Sequence, residues 1–522
     1  MKKIILSLFL IFFVKIVEAQ NVTILPSGIT PVKTSYLKLT FEQIQAKTDM
    51  TVGDLIYDTS FYCLRMYNGH EWLRLLNSQS SDGEATAFGF NSVATTISGI
   101  AHDSQNNIYI TGYFLTSLVL SPTVTLTGNS VSENLFIAKF NAEGTLLAYT
   151  KEVGSSVVIP YDLYIDGNDN VYVAGSYKGT VTMGGLYNFT SNSTTYDAFV
   201  SKYNTSLAIQ WSKSEGGVGD EFASEIASDA SGNIFIGGYF TETINFNGGA
   251  VQKTSVGSYD VFIAKYTSTG TLTWANSFGG LNSDVVNDIH FDGINDLYLT
   301  GYYDLATTIG SDSYTSNGET DFYIAKFDKD GVYQASFSGG GTGADYGNTI
   351  VQDSQGWIFV GGDFHNTITI DGLDYVSKGG SDMFLVNLSK PYVENARVNT
   401  TISLGIFETF GSDDPTVDDF LTETTNDADG NIYVTGFTSG TLPIDGFSTT
   451  VHNGVFLWKR HADVLTIGLY SYPLNTYPYI TRDNIGNVFL SGGIDVSTTI
   501  GGAFINIPSG TMSNVLMRVR LN

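Results

Sequence analysis

Apolar and polar residues alternate along most of this chain in short runs with a period of two. Seven of these runs are alike: NLFIAKFN from Asn134, DAFVSKYN from Asp197, DVFIAKYT from Asp260, DFYIAKFD from Asp321, DMFLVNLS from Asp382, GVFLWKRH from Gly454 and NVLMRVRL from Asn514. Side chains on a strand point alternately to its two faces, so each run predicts a strand with two unlike faces. Helical spacing is nearly absent. TFEQIQAK, Thr40 to Lys47, is the one stretch that predicts a helix, with Phe41, Ile44 and Gln45 behind Thr40 as the capping residue.

Ahead of each run stands a second pattern. DASGNIFIGG begins at Asp229 and returns as DADGNIYVTG at Asp427; the same phrase is anchored at Asp103, Asp166, Asp229, Asp292, Asp353, Asp427 and Asp483. The spacing averages about 63 residues, which is the mark of stacked or radial repeats. Three residues after the anchor come Asn106, Asp169, Gly232, Asn295, Gly356, Gly430 and Gly486, the residue types that accept a positive φ at least cost. Six after it the residue is always aromatic, and nine after it stands Gly112, Gly175, Gly238, Gly301, Gly362, Gly436 or Gly492. The phrase predicts a tight turn, with the Asp carboxylate accepting main-chain N–H groups, and then a strand holding one buried aromatic and one position too crowded for a side chain. An apolar residue three before the anchor in six copies predicts a short strand entering the turn.

A further strand follows as LAIQWSKSEGG, ending at Gly217, and LTWANSFGG, ending at Gly280. Four antiparallel strands make one propeller blade, so seven units predict a seven-bladed all-β propeller. The unit is longer than common blades, and the surplus lies between the second and third strands, as in TETINFNGGAVQKTS from Thr241; a short run, a Gly turn and another run predict an added hairpin. The last unit ends after its third strand, whereas GEATAFGFNS from Gly83 precedes the first anchor by the distance at which WANSFGG precedes Asp292. Residues 83–90 are thus expected to supply the missing strand and close the ring, which removes open sheet edges.

The unit, roughly GG-x-x-D, then D-x-x-G-N-x-[YF]-[VI]-[TG]-G, then D-x-F-[IV]-A-K-[YF], then G-x-L-x-W-x-x-x-x-GG, resembles the secreted bacterial β-propeller repeats known as SBBP over about residues 83–522. It departs from them where Asn387 replaces Lys, where residues 391–403 lengthen the fifth unit, and where Trp is kept only at Trp211 and Trp274. The resemblance implies an exported propeller and no defined activity.

The first nineteen residues place Lys2 and Lys3 before an apolar run from Ile4 to Val14, with Val17, Glu18 and Ala19 where a signal peptidase cuts. They read as a signal peptide, the run being short of the ~20 residues a membrane span needs. The mature protein is then expected in the periplasm, on the cell surface or outside the cell, without membrane insertion. Residues 20–80 form a separate piece: GDLIYDTSFYCLRMYNGHEWLRLL from Gly53 alternates around Asn68-Gly69, a strong hairpin signal. It resembles short segments of tail-fibre and exported surface proteins, which implies attachment or oligomerisation; packing on the propeller base is the plainer alternative. Cys63 is the single cysteine and cannot form an internal disulfide. The formal net charge of −27 argues against nucleic acid and anionic membranes as partners.

Three enzyme readings find little support in residue identity or spacing. Ala264, Thr269, Gly270 and Trp274 resemble the docking motif of quinoprotein propellers, but Tyr266 stands where that motif has Asp, and a structural turn accounts for the rest. Sialidase Asp boxes have one residue between Asp and Gly, not the two between Asp229 and Gly232. His70, His102, His290, His365, His452 and His461 share neither phase nor metal-ligand spacing. One acidic set does share a phase: Asp162, Glu225, Asp288 and Glu423 lie four before the anchor, on the strand expected to line a central channel. Crowded carboxylates there are candidates for holding a divalent cation such as Ca²⁺; a solvated acidic funnel is the alternative. A second phased set is Glu221, Asp284, Asp345 and Asp419, eight before the anchor. The sequence thus favours a non-enzymatic scaffold for a protein or glycan partner, with a funnel-sited hydrolase or quinoprotein-like enzyme as the competing class.

Overall fold

The repeated phrase folds as a hairpin locked by its own aspartate. Asp103 Oδ1 accepts the N–H groups of Gln105 and Asn107 at 3.0 and 2.8 Å, and the same pair of bonds recurs at Asp166, Asp229, Asp292 and Asp353. The left-handed residue falls where expected at Asn106, Asp169, Gly232, Gly356 and Gly430, with φ between 60 and 87°. Unit four departs. There Gly293, at φ 77°, is left-handed instead of Asn295, because glycine meets least strain at positive φ and this turn carries its glycine two residues earlier.

In this computed structural model, residues 95–388 are described except 130, 131 and 193, with most of 402–494 and separate strands within 22–90 and 498–520. The chain divides into two compact units, 1–84 with 520–522, and 85–519. In the smaller one, Val22–Leu25 pairs with Gly28–Pro31, and Leu37–Leu39, Leu55–Asp58, Cys63–Tyr67 and Trp72–Arg74 form a four-stranded sheet. Tyr67 opposes Trp72, so the hairpin expected around Asn68-Gly69 joins these strands; the turn itself lies outside the described residues. Of the helix expected over 40–47, Ile44 is described as helical and is buried, while most of the remainder lies outside the described residues. The signal segment, residues 1–19, lies outside them too.

The larger unit is all-β. Its repeat is clearest in unit three, where Glu221–Ser228, Ile234–Phe240, Asp260–Tyr266 and Leu272–Gly280 pair in order as an antiparallel sheet. The same four-strand order is built on the first strands Thr95–His102, Val158–Ile165, Asp284–Phe291, Asp345–Gln352, Phe420–Asn426 and Tyr479–Arg482. In the sheet containing Tyr479–Arg482 the fourth strand is Glu84–Phe90, next to Ser513–Arg520. The inserted hairpins are present as well, for instance Thr180–Met183 with Tyr187–Thr190 and Thr243–Phe246 with Val251–Thr254. In units four and five they continue the second and third strands, Asp296–Ile309 with Asp312–Asp328 and Ile358–Ile370 with Leu373–Leu388.

Cores form between successive sheets rather than within them. Tyr172, Val200 and Trp211 of unit two pack with Ile226, Ile236 and Phe262 of unit three, and Phe489 and Leu516 pack with Ile97, Ile110 and Phe136 of unit one. First strands lie side by side in chain order, and Tyr479–Arg482 lies against Thr95–His102. Asn484 N–H donates to Asn106 Oδ1 at 2.8 Å, the same contact by which Ser104 N–H reaches Asp169 Oδ1 at 2.8 Å.

Two glycine positions follow from close approach. A Cβ on Gly112, Gly175, Gly238, Gly301, Gly362 or Gly436 would stand 1.9–2.1 Å from a first-strand carbonyl oxygen. The second glycine of the GG pair is crowded by the next unit: Gly217 opposes Ile244 and Gly280 opposes Thr307, and a Cβ on either would stand 1.8 Å from the oxygen of Thr243 or Ala306. The inserted hairpin of one unit thereby pairs with the outer strand of the unit before it.

Candidate acidic site where the first strands converge

A register shift interrupts each of the first six first strands immediately before the acidic phase: between Pro160 and Asp162, Ala223 and Glu225, Val286 and Asp288, Leu421 and Glu423, and likewise at Gly99 and Thr349. Such a bulge inserts one residue and turns the strand. The residue after the acid, Leu163, Ile226 or Ile289, is buried in the core between sheets, which leaves the half-buried acids on the opposite face.

Asp162, Glu225, Asp288 and Glu423 do come together electrostatically. Burial raises all four carboxyl groups, Asp162 to about 6 and Asp288 to about 7, with Glu225 and Glu423 held well above the usual range. Glu225 is raised further by Asp162, Asp288 and Glu423, in that order. Three of the four also bond to the neighbouring first strand. Asp162 Oδ2 accepts Ile226 N–H at 2.9 Å, Asp288 Oδ2 accepts Ile350 N–H at 2.6 Å, and Glu423 Oε2 accepts Ile480 N–H at 2.7 Å. Where the phase has no acid, Thr349 Oγ1 meets Thr424 Oγ1 at 2.8 Å. These bonds tie units two to three, four to five, and six to seven. Among the described residues no three His, Cys, Asp or Glu side chains are gathered as a metal ion requires; of the four acids expected as cation ligands, Asp162, Asp288 and Glu423 each brace the neighbouring first strand, around an acidic space they share with Glu225.

The bulged residues add a second tier of struts. Asn287 Nδ2 donates to Gly347 O at 3.0 Å, Asn348 Nδ2 to Leu421 O at 2.7 Å, and Thr422 Oγ1 to Pro478 O at 3.3 Å.

Beside the acids lies an aromatic belt that sequence phase alone left unnoticed. Phe222 and Tyr239 stack at 5.0 Å, Tyr196 stands 5.4 Å from Phe222, Tyr259 stands 5.4 Å from Tyr239, Tyr161 lies 6.2 Å from Phe222, and Tyr302 meets Tyr346 edge-on at 5.0 Å. All seven rings are partly exposed. Burial, then the neighbouring hydroxyls of Tyr161, Tyr302 and Tyr259, then Glu225 raise the Tyr239 phenol, which places the belt within electrostatic reach of the acids. The signal was available: Tyr239 and Tyr302 each lie ten residues after an anchor, and Tyr196 and Tyr259 each precede the leading Asp of a third strand.

The quinoprotein-like stretch serves packing. Gly270 is left-handed, at φ 81°, and a Cβ on it would meet the Trp211 ring at 2.8 Å; Trp211 Nε1 and Lys202 Nζ both donate to Ser268 O, at 3.1 and 3.2 Å. Trp274 and Lys265 dock in the same way on Lys329 O, each at 3.2 Å. The third-strand lysines also cap the anchors: Lys139 Nζ lies 3.0 Å from Asp103 Oδ2 and 4.8 Å from the Tyr109 ring centre.

An uncharacterized WD repeat-containing protein of Acanthamoeba polyphaga mimivirus is 24% identical over 221 residues, covering 36% of this chain and 16% of that protein. A regulatory protein, FlaEY, of Caulobacter vibrioides is 26% identical over 161 residues, covering 29% and 16%. The chain therefore spans about a sixth of the length of these curated relatives. Similar solved structures include virginiamycin B lyase from Staphylococcus aureus, at 11% identity and TM-score 0.35 over 83% of this chain and 99% of that one. The β-propeller domain of the Trilobed protease from Pyrococcus furiosus matches at 10% identity and TM-score 0.32, over 71% and 93%. The model of the SBBP β-propeller repeat matches residues 85–113, across the fourth strand contributed from the N-terminal side and the first copy of the anchored turn. The chain thus carries an SBBP β-propeller repeat at residues 85–113.

Proposed function

We propose that the seven four-stranded units close into one ring through residues 84–90, and that this ring is a non-enzymatic scaffold which binds neutral glycan over the aromatic belt. Closure is supported by the shared sheet of Glu84–Phe90 with Ser513–Arg520 and by the Asn484–Asn106 contact. The binding reading is carried by one observation: seven partly exposed aromatic rings from units two to five, Tyr161, Tyr196, Phe222, Tyr239, Tyr259, Tyr302 and Tyr346, stand together beside carboxylates. Ring faces suit the C–H faces of sugars, phenol hydroxyls and carboxylates suit their hydroxyl groups, and a site that is largely apolar with a few placed polar groups is the usual form of a small-ligand surface. The acidic surroundings disfavour anionic polymers.

Affinity electrophoresis of the full chain in gels containing neutral or anionic polysaccharides tests this. Retardation by a neutral polysaccharide, lost in Tyr239→Ala and Tyr302→Ala proteins that melt like the wild type, is expected. Unchanged retardation in both variants, or none in any neutral gel, overturns it. Release of reducing ends from the same polysaccharide would favour the competing funnel-sited hydrolase.

A further inference from the structure

The second phased acidic set, Glu221, Asp284, Asp345 and Asp419, is fully buried, and each member meets another carboxylate there. The partner is the leading Asp of the preceding unit's third strand: Asp197 with Glu221, Asp260 with Asp284, Asp321 with Asp345, and Asp382 with Asp419. All eight are at most 9% exposed. The GG pair makes the space: a Cβ on Gly216, Gly279 or Gly340 would lie 2.1–2.4 Å from the carboxyl carbon of Asp197, Asp260 or Asp321.

One oxygen of several of these groups is served by the main chain. Asp260 Oδ2 accepts Val256 N–H at 3.0 Å, Asp284 Oδ2 accepts Gly280 N–H at 2.8 Å, Asp345 Oδ2 accepts Gly341 N–H at 2.7 Å, and Asp419 Oδ2 accepts Ser412 N–H at 2.6 Å. Asp321 and Asp382 have N–H donors on both oxygens, whereas the remaining groups keep an oxygen that no donor reaches. Asp197 Oδ1, Asp260 Oδ1, Asp284 Oδ1, Asp345 Oδ1, Asp419 Oδ1 and both oxygens of Glu221 are buried without a hydrogen-bond partner. Buried acceptors left bare carry a full desolvation cost, so the same omission at four successive interfaces points to a missing partner.

The first interface indicates what that partner replaces. There Asn134 stands in the place of the Asp, opposite Phe114 as Asp197 stands opposite Tyr177 and Asp260 opposite Phe240, and Val158 stands in the place of the second acid. The Asn134 amide nitrogen donates to three main-chain oxygens, those of Phe114, Leu115 and Ser132, at 3.0, 2.9 and 2.7 Å. Asn134 thus presents a positively polarised group to a cluster of carbonyls, where the other four interfaces present a bare carboxylate oxygen.

We propose that each of the four acid-paired interfaces binds one hard divalent cation of the calcium class, held by the two carboxylates and by main-chain carbonyls at the end of the second strand. Oxygen-only ligands of mixed carboxylate and carbonyl type suit Ca²⁺ and exclude softer metals, and a divalent ion neutralises each pair. These sites are distinct from the acids around Glu225 and do not depend on glycan binding.

The test is calcium titration of chelator-stripped full chain by calorimetry, with melting in CaCl₂ and in EDTA. Wild type is expected to take up four ions and melt higher with calcium. Asp260→Asn with Asp284→Val, which copies the Asn134 and Val158 interface, is expected to take up three and to melt in EDTA no lower than wild type. Asp321→Asn alone is expected to lose one ion as well, and Glu225→Gln none. No calcium heat together with a melting point unmoved by EDTA overturns the proposal, and so does an undiminished ion count in both interface variants.

Discussion

Glu215 offers a measurement in which sign and size both follow from the structure. Its side chain, 5% exposed, lies among Ala198, Phe246, Phe262 and Ala264, with Oε1 accepting the Tyr266 hydroxyl at 2.8 Å and Oε2 accepting Asn247 N–H at 2.8 Å. Burial raises the carboxyl from 4.5 to about 7, and the two hydrogen bonds offset only part of that. Since the folded state holds the proton more tightly than the unfolded one, this group's contribution is complete below pH 4.5 and is lost as pH rises through 7. At 1.36 kcal/mol per unit, the loss is about 3 kcal/mol. Glu215→Gln keeps a neutral group at every pH, with its carbonyl facing Asn247 N–H and its amide facing the tyrosine oxygen. Urea unfolding of both proteins at pH 4.5, 6 and 8 should show near-equal stability at the lowest pH and a variant ahead by about 3 kcal/mol at pH 8. A gap that stays constant across this range would refute the reasoning. Glu152, bonded to Gly184 N–H and the Tyr203 hydroxyl and also raised to about 7 by burial, should repeat the result.

Gly280→Ala should cost about 3 kcal/mol in denaturant melts, because its Cβ would strike Ala306 O, whereas Gly185→Ala, with φ 71° and open space around it, should cost only the ~1 kcal/mol of left-handed strain; equal costs would count against the close pairing of units. Asp162→Ala leaves the N–H groups of Leu163 and Ile226 without their acceptor and should lower stability by about 1–3 kcal/mol, and a neutral effect would remove its role as a strut. Removing residues 21–80 should leave the melting point of the propeller unit unchanged, while removing 21–92 should lower it sharply; identical melting of the two proteins would contradict closure through residues 84–90.

The turn phrase, the strand faces and the inserted hairpins were legible because each depends on local chemistry. An Asp that accepts N–H groups two and four residues on, or a glycine facing a carbonyl, leaves the same mark in every copy. The bulge was not legible. Its extra residues, Ser98, Tyr161, Ser224, Asn287, Asn348 and Thr422, are of four types, and Ser224, Asn287, Asn348 and Thr422 each donate to a main-chain oxygen of the neighbouring unit. For the same reason the phase of Asp162, Glu225, Asp288 and Glu423 was readable while their engagement with the next strand was not: the acceptor is a side chain, but the donor is a main-chain N–H, which no residue type announces.

The pairing of Gly217 with Ile244, of Gly280 with Thr307 and of Gly341 with Ile368 bears on how such a chain can lengthen or shorten. A cut between sheets would leave one fragment with a glycine edge lacking its hairpin and the other with a hairpin lacking its edge. A segment running from one GG pair to the next avoids this, since it opens with the edge that its own hairpin covers and closes with the edge the following hairpin will cover. Duplication or loss of copies should therefore respect the GG boundaries, so that the heritable module is offset by one strand from the visible sheet.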